Sequence, residues 1–403
     1  MIDFEPTEDQ RLVRDAVADL SRTTLRARMR EFEERGGLSE DVRKTMVEMG
    51  LGVATLPEAI GGQGFGLLSA VLIEEELGHG DPSAGYACPG AGAFGRAIVA
   101  LGTPEQQATL LAGFRMEAPD AHARYGAIAW SEAKASRERA GFATVATERG
   151  GTFFLTGKKS FVQNADLADR FVVFAQVDAE KGWGGIGAFV VEKSPAVHVG
   201  ARHDTLGLDA VSFGELSFED APAIARLDGG GDLTQATLRF FLEQGLLVAA
   251  RAVGLSRAAF EVAREYCDGR KAFGKPIGHF QAVAFKLSDR LMDVDSARWL
   301  VWRAAAAWDQ GKPVRECMRL SAQAIAHALE GAMRCGDDAV QLHGGAGFMR
   351  DYPVEKMMRD AKQMALTCPT ASHLDQLATA LDLGAALDPA LVLPTPEVQP
   401  IFT

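Results

Sequence analysis

The chain has 403 residues, of which 47% are hydrophobic and 24% charged, and a formal net charge of −12. Such values describe a globular protein with room for two or three packed domains, and they exclude wholesale disorder. The acidic balance removes any broad attraction to nucleic acid or to an anionic membrane surface, so an anionic ligand must be held by a local cluster of cations or backbone amides.

The N-terminus, Met1-Ile2-Asp3-Phe4-Glu5-Pro6, has no basic segment followed by an apolar run. No stretch reaches the ~20 apolar residues of a membrane span. Five scattered cysteines (Cys88, Cys267, Cys317, Cys335 and Cys368), with no Cys-x-x-Cys, fit a reducing compartment and argue against a disulfide framework or a zinc site. The expected location is the cytoplasm.

Residues 1–120 read as an N-terminal helical domain. Thr7-x-x-Gln10 is a capping box, after which Leu12, Val13, Ala16, Val17 and Leu20 line one helical face. Segments 39–50, 66–80 and 84–101 also read as helix, punctuated by Leu56-Pro57-Glu58 and by Gly61, Gly62, Gly64 and Gly66. Residues 121–226 read as a small central β-barrel or sandwich. Ala143–Glu148 and Thr152–Thr156 flank Gly150-Gly151 as a hairpin, and Phe171–Phe174 and Ala188–Val191 look like buried strands. Residues 227–385 return to helix, with Ala284, Leu287, Leu291, Val294 and Val301 at helical spacing, and form an antiparallel bundle. From 386 to 403 the prolines Pro389, Pro394, Pro396 and Pro400 predict an extended tail. The fold class is α+β.

Two stretches of the bundle carry chemistry. Arg270-Lys271-Ala272-Phe273-Gly274-Lys275-Pro276-Ile277, followed by Phe280-Gln281, puts cations and an aromatic at a helix–helix corner that suits a diphosphate. Taken alone its spacing reads first as an exposed basic helix–helix turn. Gln341-Leu342-His343-Gly344-Gly345-Ala346-Gly347-Phe348 lets backbone approach a ligand and offers free N–H groups. Taken alone such a run is a weak signal and reads as a tight interhelical turn with glycine as the C-cap.

Together the two stretches resemble the C-terminal signatures of the acyl-CoA dehydrogenase family, as do Tyr352-Pro353-Val354-Glu355 and Arg359-Asp360. The resemblance extends to Pro57-Glu58-x-x-Gly61-Gly62-x-Gly64 and Glu74-Glu75-x-Leu77, and it covers residues 1 to about 385. It implies FAD bound between the β module and the bundle, an acyl-CoA or acyl-carrier-protein thioester as substrate, and electron transfer to an electron-transfer flavoprotein. It also implies a homotetramer or homodimer. Arg270, Phe273 and Gln281 match residues that reach a neighbouring subunit's FAD. Gln341, Gly344 and Gly345 match contacts to its diphosphate or adenosine. Ser131 matches a hydroxyl residue bonding the flavin, Phe161 the aromatic beside the ring, Gln163 a position often held by threonine near flavin N5, and Thr370 a further cofactor contact.

The pattern departs where the family abstracts a proton. The usual glutamate, eight residues past Asp360, is Cys368, within Thr367-Cys368-Pro369-Thr370. The alternative position, ten residues before the glycine of Val253-Gly254-Leu255, is Gln244, and the arginine that often follows it is Gly245. Glu243 is the adjacent carboxylate, turned ~100° away on a helix. The middle signature becomes Ser131-Glu132-Ala133-Lys134-Ala135-Ser136-Arg137-Glu138, which makes Arg137 a candidate anion anchor for substrate. Three readings follow: α,β-desaturation of an acyl thioester with Glu243 or another carboxylate as base; base-less elimination or desulfination on the same flavoprotein scaffold; or a non-catalytic, cofactor-sharing subunit in a heteromer with a homologous chain.

Overall fold

The computed structural model describes residues 5–118, 120–133, 141–229 and 231–385. Arg137 and the proline-containing tail lie outside these residues. The architecture is a run of helices, a β-barrel and a second set of helices.

The first helices are α1 (Glu8–Leu20), α2 (Arg26–Arg35), α3 (Glu40–Glu48) and α4 (Leu67–Gly80), followed by α5 (Pro82–Tyr86), α6 (Gly92–Leu101) and α7 (Pro104–Leu110). The capping box is formed: Gln10 N donates to Thr7 Oγ1 at 3.3 Å, and Thr7 N donates to Gln10 Oε1 at 3.0 Å. The helix expected over 84–101 is two helices. Pro89 disfavours helical geometry at Cys88, and Gly90 takes φ 118°. Gly90 N then donates to Arg124 O at 2.8 Å, tying this break to the entrance of the barrel.

The central strands are β1 (Gly126–Ala129), β2 (Val145–Arg149), β3 (Thr152–Gln163), β4 (Arg170–Gln176), β5 (Ile186–Glu192), β6 (Val197–Arg202) and β7 (Phe213–Leu227). They pair in the order β1-β4-β2-β3-β7-β5, with β6 on β7, and an added β4–β5 pairing closes the sheet on itself. The expected hairpin is present, with Arg149 opposite Thr152. Strand β4 is buried on both faces, which explains its unbroken apolar run. Phe171 and Val173 fill the barrel, while Val172 and Phe174 pack with Phe94, Leu101 and Phe114 of the first helical region.

The second helical set is α8 (Leu233–Gly269), α9 (Gln281–Asp309), α10 (Val314–His343), α11 (Val354–Met364) and α12 (Ala371–Asp382). A hairpin of β8 (Lys271–Ala272) and β9 (Lys275–Pro276) joins α8 to α9. Asp232 caps α8 by accepting from Thr234 N and Gln235 N. On α9, Val294 and Val301 are buried as their spacing implies, but Leu291 is 43% exposed because this part of the helix is covered on one side only.

Helices α1–α5 share one continuous apolar core with α8–α12. The tightest approach joins α4 to α8. A Cβ on Gly78 would lie 2.2 Å from Arg251 O, and one on Gly254 would lie 1.9 Å from Glu75 O. Only glycine permits backbones this close. The crossing sets Glu74 against Arg251, and that pair forms one wall of the site. Among the described residues no helix is long and apolar enough to cross a membrane.

Candidate active site

A cavity of about 670 Å³ lies where the barrel meets α4, α6 and α8. Ser131, Phe161, Gln163 and Asn164 line it from the barrel side. Apolar walls come from Leu51, Leu77, Phe240, Phe241 and Val248.

The barrel wall is shaped by a register shift between Lys159 and Val162 where β3 pairs with β7. Within it Phe161 takes φ 54°, as does Asn164 just beyond it. Left-handed backbone is costly for a bulky residue and clusters at functional sites. The result is a Phe161 ring 54% exposed, at 4.7 Å from the His203 ring. Gln163 Nε2 donates to Tyr86 O at 2.6 Å, and Asn164 Nδ2 donates to the same oxygen at 3.2 Å. Asn164 Oδ1 is left as a buried acceptor without a partner. Ser131 is held by its carbonyl, which accepts from Ser160 N at 2.8 Å. A flat apolar ring beside an unused buried acceptor fits an aromatic cofactor that carries N–H groups, such as a flavin.

The positions expected to hold a base face the same cavity. Cys368 lines it, and burial pushes its thiol up to about 12, so it stays neutral. Gln244 also lines it, with Oε1 accepting from Arg96 Nε at 2.9 Å and Nη2 at 2.5 Å. Glu243 does not line the cavity; its Oε1 accepts from Arg239 Nε at 2.6 Å, one helical turn back. This follows from the helical turn between neighbouring residues. A Cβ on Gly245 would lie 2.6 Å from Ile325 Cδ1, so a larger residue there requires the Ile325 side chain to shift. Thr370 caps α12, accepting from His373 N at 3.3 Å.

Sequence reasoning missed three charged residues on this wall. Glu74 on α4 accepts from Arg251 Nε at 2.5 Å and Nη2 at 2.8 Å, in a bidentate pair that is nearly buried. The Arg251 guanidinium also lies 4.5 Å from the centre of the Tyr86 ring. Arg96 on α6 is the third, and desolvation by burial lowers its pKa to about 10. Glu74 belongs to the Glu74-Glu75-x-Leu77 run, whose sequence names no partner for it. Arg96 and Arg251 stand inside otherwise apolar helical runs, and that placement was the available signal.

The two bundle motifs come together at one end of the helices, away from the cavity. Tyr266, four residues before Arg270, stacks on His343, the residue before Gly344, with ring centroids 4.2 Å apart. Arg270, Gln281, Gln341, Gly344 and Gly345 are exposed, and Phe273, at φ 51°, is 95% exposed. A Cβ on Gly344 or Gly345 would meet nothing within 4 Å. This corner offers cations, an aromatic and open backbone to something outside the chain.

The chain matches the N-terminal, middle and C-terminal domains of acyl-CoA dehydrogenases over residues 7–116, 127–221 and 234–368. It is 32% identical to the probable acyl-CoA dehydrogenase YngJ of Bacillus subtilis (strain 168), over 91% of this chain and 95% of that one. It is 33% identical to cyclohex-1-ene-1-carbonyl-CoA dehydrogenase of Geobacter metallireducens, over 88% and 93%. The butyryl-CoA dehydrogenase structure from Megasphaera elsdenii superposes with a TM-score of 0.86 at 30% identity, covering 95% of this chain and all of that one.

Proposed function

The chain belongs to the acyl-CoA dehydrogenase family of flavoenzymes, with FAD as its cofactor, and from that premise we propose that it oxidises an acyl thioester between the carbons α and β to the carbonyl. The observation that carries this reading is the single cavity shared by the barrel wall and the helices. It joins the Phe161 ring and the unused Asn164 acceptor to apolar walls of Leu77, Phe240, Phe241 and Val248.

FAD, when bound, supplies the hydride acceptor. The chain's own residues supply position and exclusion of water. Ser131, Phe161, Gln163 and Asn164 would hold the ring, with Thr370 at its margin. The apolar walls would seat the acyl chain. Arg270, Phe273 and Gln281, with Gln341, Gly344 and Gly345, would grip the diphosphate and adenosine of FAD held by a second copy of the chain. Electron-transfer flavoprotein would take up the reducing equivalents.

Proton removal is where this chain's residues differ from what the family resemblance implies. Neither Gln244 nor the neutral Cys368 accepts a proton, and Glu243 is committed to Arg239. The carboxylates on the described cavity wall are Glu74 and Asp204. Glu74 is bound to Arg251, which lies seven residues beyond Gln244 on α8, roughly 10 Å along the helix. These placements favour a second reading of the chemical step, in which a sulfinate substrate loses its sulfur as SO2, which water converts to sulfite, while the C–S electron pair stays on carbon and takes up a proton from water, so that no protein base is needed at Gln244 or Cys368.

Anaerobic mixing of FAD-loaded protein with a panel of acyl-CoA and acyl-carrier-protein esters separates the two. Oxidation predicts bleaching of the flavin and an enoyl thioester by mass spectrometry. Elimination predicts loss of the leaving group with the flavin still oxidised at the end. A panel that yields neither outcome overturns both.

A further inference from the structure

Three charged side chains from three helices meet at the helical end of the cavity: Glu74 from α4, Arg96 from α6 and Arg251 from α8. Both oxygens of Glu74 are taken by Arg251, so this pair is closed. Arg96 has no such partner. Its Nε and Nη2 both donate to the Oε1 of Gln244, a neutral acceptor. Among the described residues its Nη1 makes no bond, and Arg96 lines the cavity.

A guanidinium only donates, so the amide oxygen of Gln244 must be the end turned to Arg96. The Gln244 NH2 then faces away from Arg96 and makes no bond of its own within the described residues. This end of the cavity thus has two guanidiniums against one carboxylate, with unspent N–H donors on Arg96 and Gln244. Asp204, the other carboxylate on the wall, is exposed on the loop after β6. The charges that bear most on Arg96 are Glu74, Arg251 and Glu243. Of these, Glu74 is paired with Arg251 and Glu243 with Arg239.

Holding an amide in place requires no charge, and burying an arginine without a counter-ion is unfavourable. A purely hydrocarbon acyl chain would leave these donors unpaired in a desolvated pocket. A hydroxyl would satisfy one of them. A carboxylate presents two oxygens to the fork and also supplies the missing negative charge.

We propose that Arg96 and Gln244 form an anion subsite, and that the acyl group this enzyme accepts carries a carboxylate seated on them. This rests on the reading of the chain as an acyl-thioester enzyme. The subsite includes Gln244, one of the two positions at which the family resemblance implies a base, and there it would supply recognition of a charged group in place of proton transfer.

The test measures dissociation constants on FAD-loaded protein for carbon-matched ester pairs: succinyl-CoA against butyryl-CoA, glutaryl-CoA against pentanoyl-CoA, and adipoyl-CoA against hexanoyl-CoA. Flavin absorbance and calorimetry serve as readouts. At least one acidic ester is expected to bind about tenfold or more tightly than its neutral partner. Arg96→Gln should collapse that ratio, and Arg96→Lys should keep part of it. Neutral esters binding as well as acidic ones in every pair overturns the proposal, as does a ratio that survives Arg96→Gln. The wild-type ratios decide the matter even where a variant fails to fold. Failure of every ester to bind, whether presented on CoA or on acyl-carrier protein, refutes the thioester reading itself, and the subsite with it.

Discussion

The cavity interior and the bundle corner satisfy their polar groups in opposite ways. At the corner, Arg270, Gln281, Gly344 and Gly345 are exposed, and Phe273 stands almost wholly in solvent. In the cavity, Arg251 is locked to Glu74, Gln244 is clasped by Arg96, and Gln163 is tied to Tyr86 O. The corner carries the runs on which the family resemblance rests, and the interior carries Gln244 and Cys368 where that resemblance implies a carboxylate. A corner that grips a diphosphate must present the same charges and free amides whatever the substrate. An interior that selects an acyl group and manages its protons is shaped side chain by side chain.

The largest effect expected lies inside. Arg251→Met would strand the Glu74 carboxylate in a nearly buried site, at a cost of about 3–5 kcal/mol. Denaturant unfolding of the FAD-loaded protein checks this, and a loss near zero would mean the pair is not the brace described here. At the corner the expected effect is on the cofactor and not on the fold. Arg270→Ala should weaken FAD binding by roughly 10- to 100-fold, as loss of about 1.5–3 kcal/mol from a charged hydrogen bond implies. Unfolding of the apo-protein should barely change, because Arg270 is exposed and its side chain makes no bond to another described residue. Flavin retention during dialysis measures the first, and a melting curve the second.

One pH dependence comes from the thiols of the cavity. Burial pushes Cys88 and Cys368 each up to about 12 from an ordinary value near 9. The folded chain therefore keeps protons that the unfolded chain releases above pH 9. Their contribution is fully present below that pH and is lost as the pH climbs toward 12. Alkylation by iodoacetamide should stay slow at both residues up to about pH 9 in the native state and become fast on unfolding. Rapid native modification near neutral pH would show a thiolate in the cavity and revive Cys368 as a base.

The smallest effect is expected at Glu243. Its pair with Arg239 is a partly exposed i,i+4 contact worth about 0.3–0.5 kcal/mol. Glu243→Gln should shift stability by no more than that and change turnover by less than about twofold. A collapse in turnover would erase the contrast by placing a base beside Gln244 after all.

Much of the scaffold is legible along the chain. Thr7 and Gln10 announce the first cap, Gly150-Gly151 the first hairpin, and the unbroken Phe171–Phe174 run a strand buried on both faces. Pro89-Gly90 contains the signal that splits the helix expected over 84–101, yet the surrounding apolar residues outweigh it when periodicity alone is weighed. Of the candidate site residues, Ser131, Phe161, Gln163, Gln244 and Cys368 do line one cavity, whereas Glu243 does not. Arg96 and Arg251 were illegible for a physical reason. An arginine in an apolar helix acquires meaning only from what another helix places against it, and Glu74 lies 177 positions from Arg251.

Short-range chemistry therefore suffices for the helices, the barrel strands and the bundle corner, since caps, turns, periodicity and motif spacing act over a few residues. The charge pattern inside the cavity is different. It arises where Gly78 and Gly254 let α4 and α8 touch and where the turn at Pro89-Gly90 precedes α6. Long-range packing alone sets which cation is neutralised and which is left open, because a buried charge is defined by its neighbours in space.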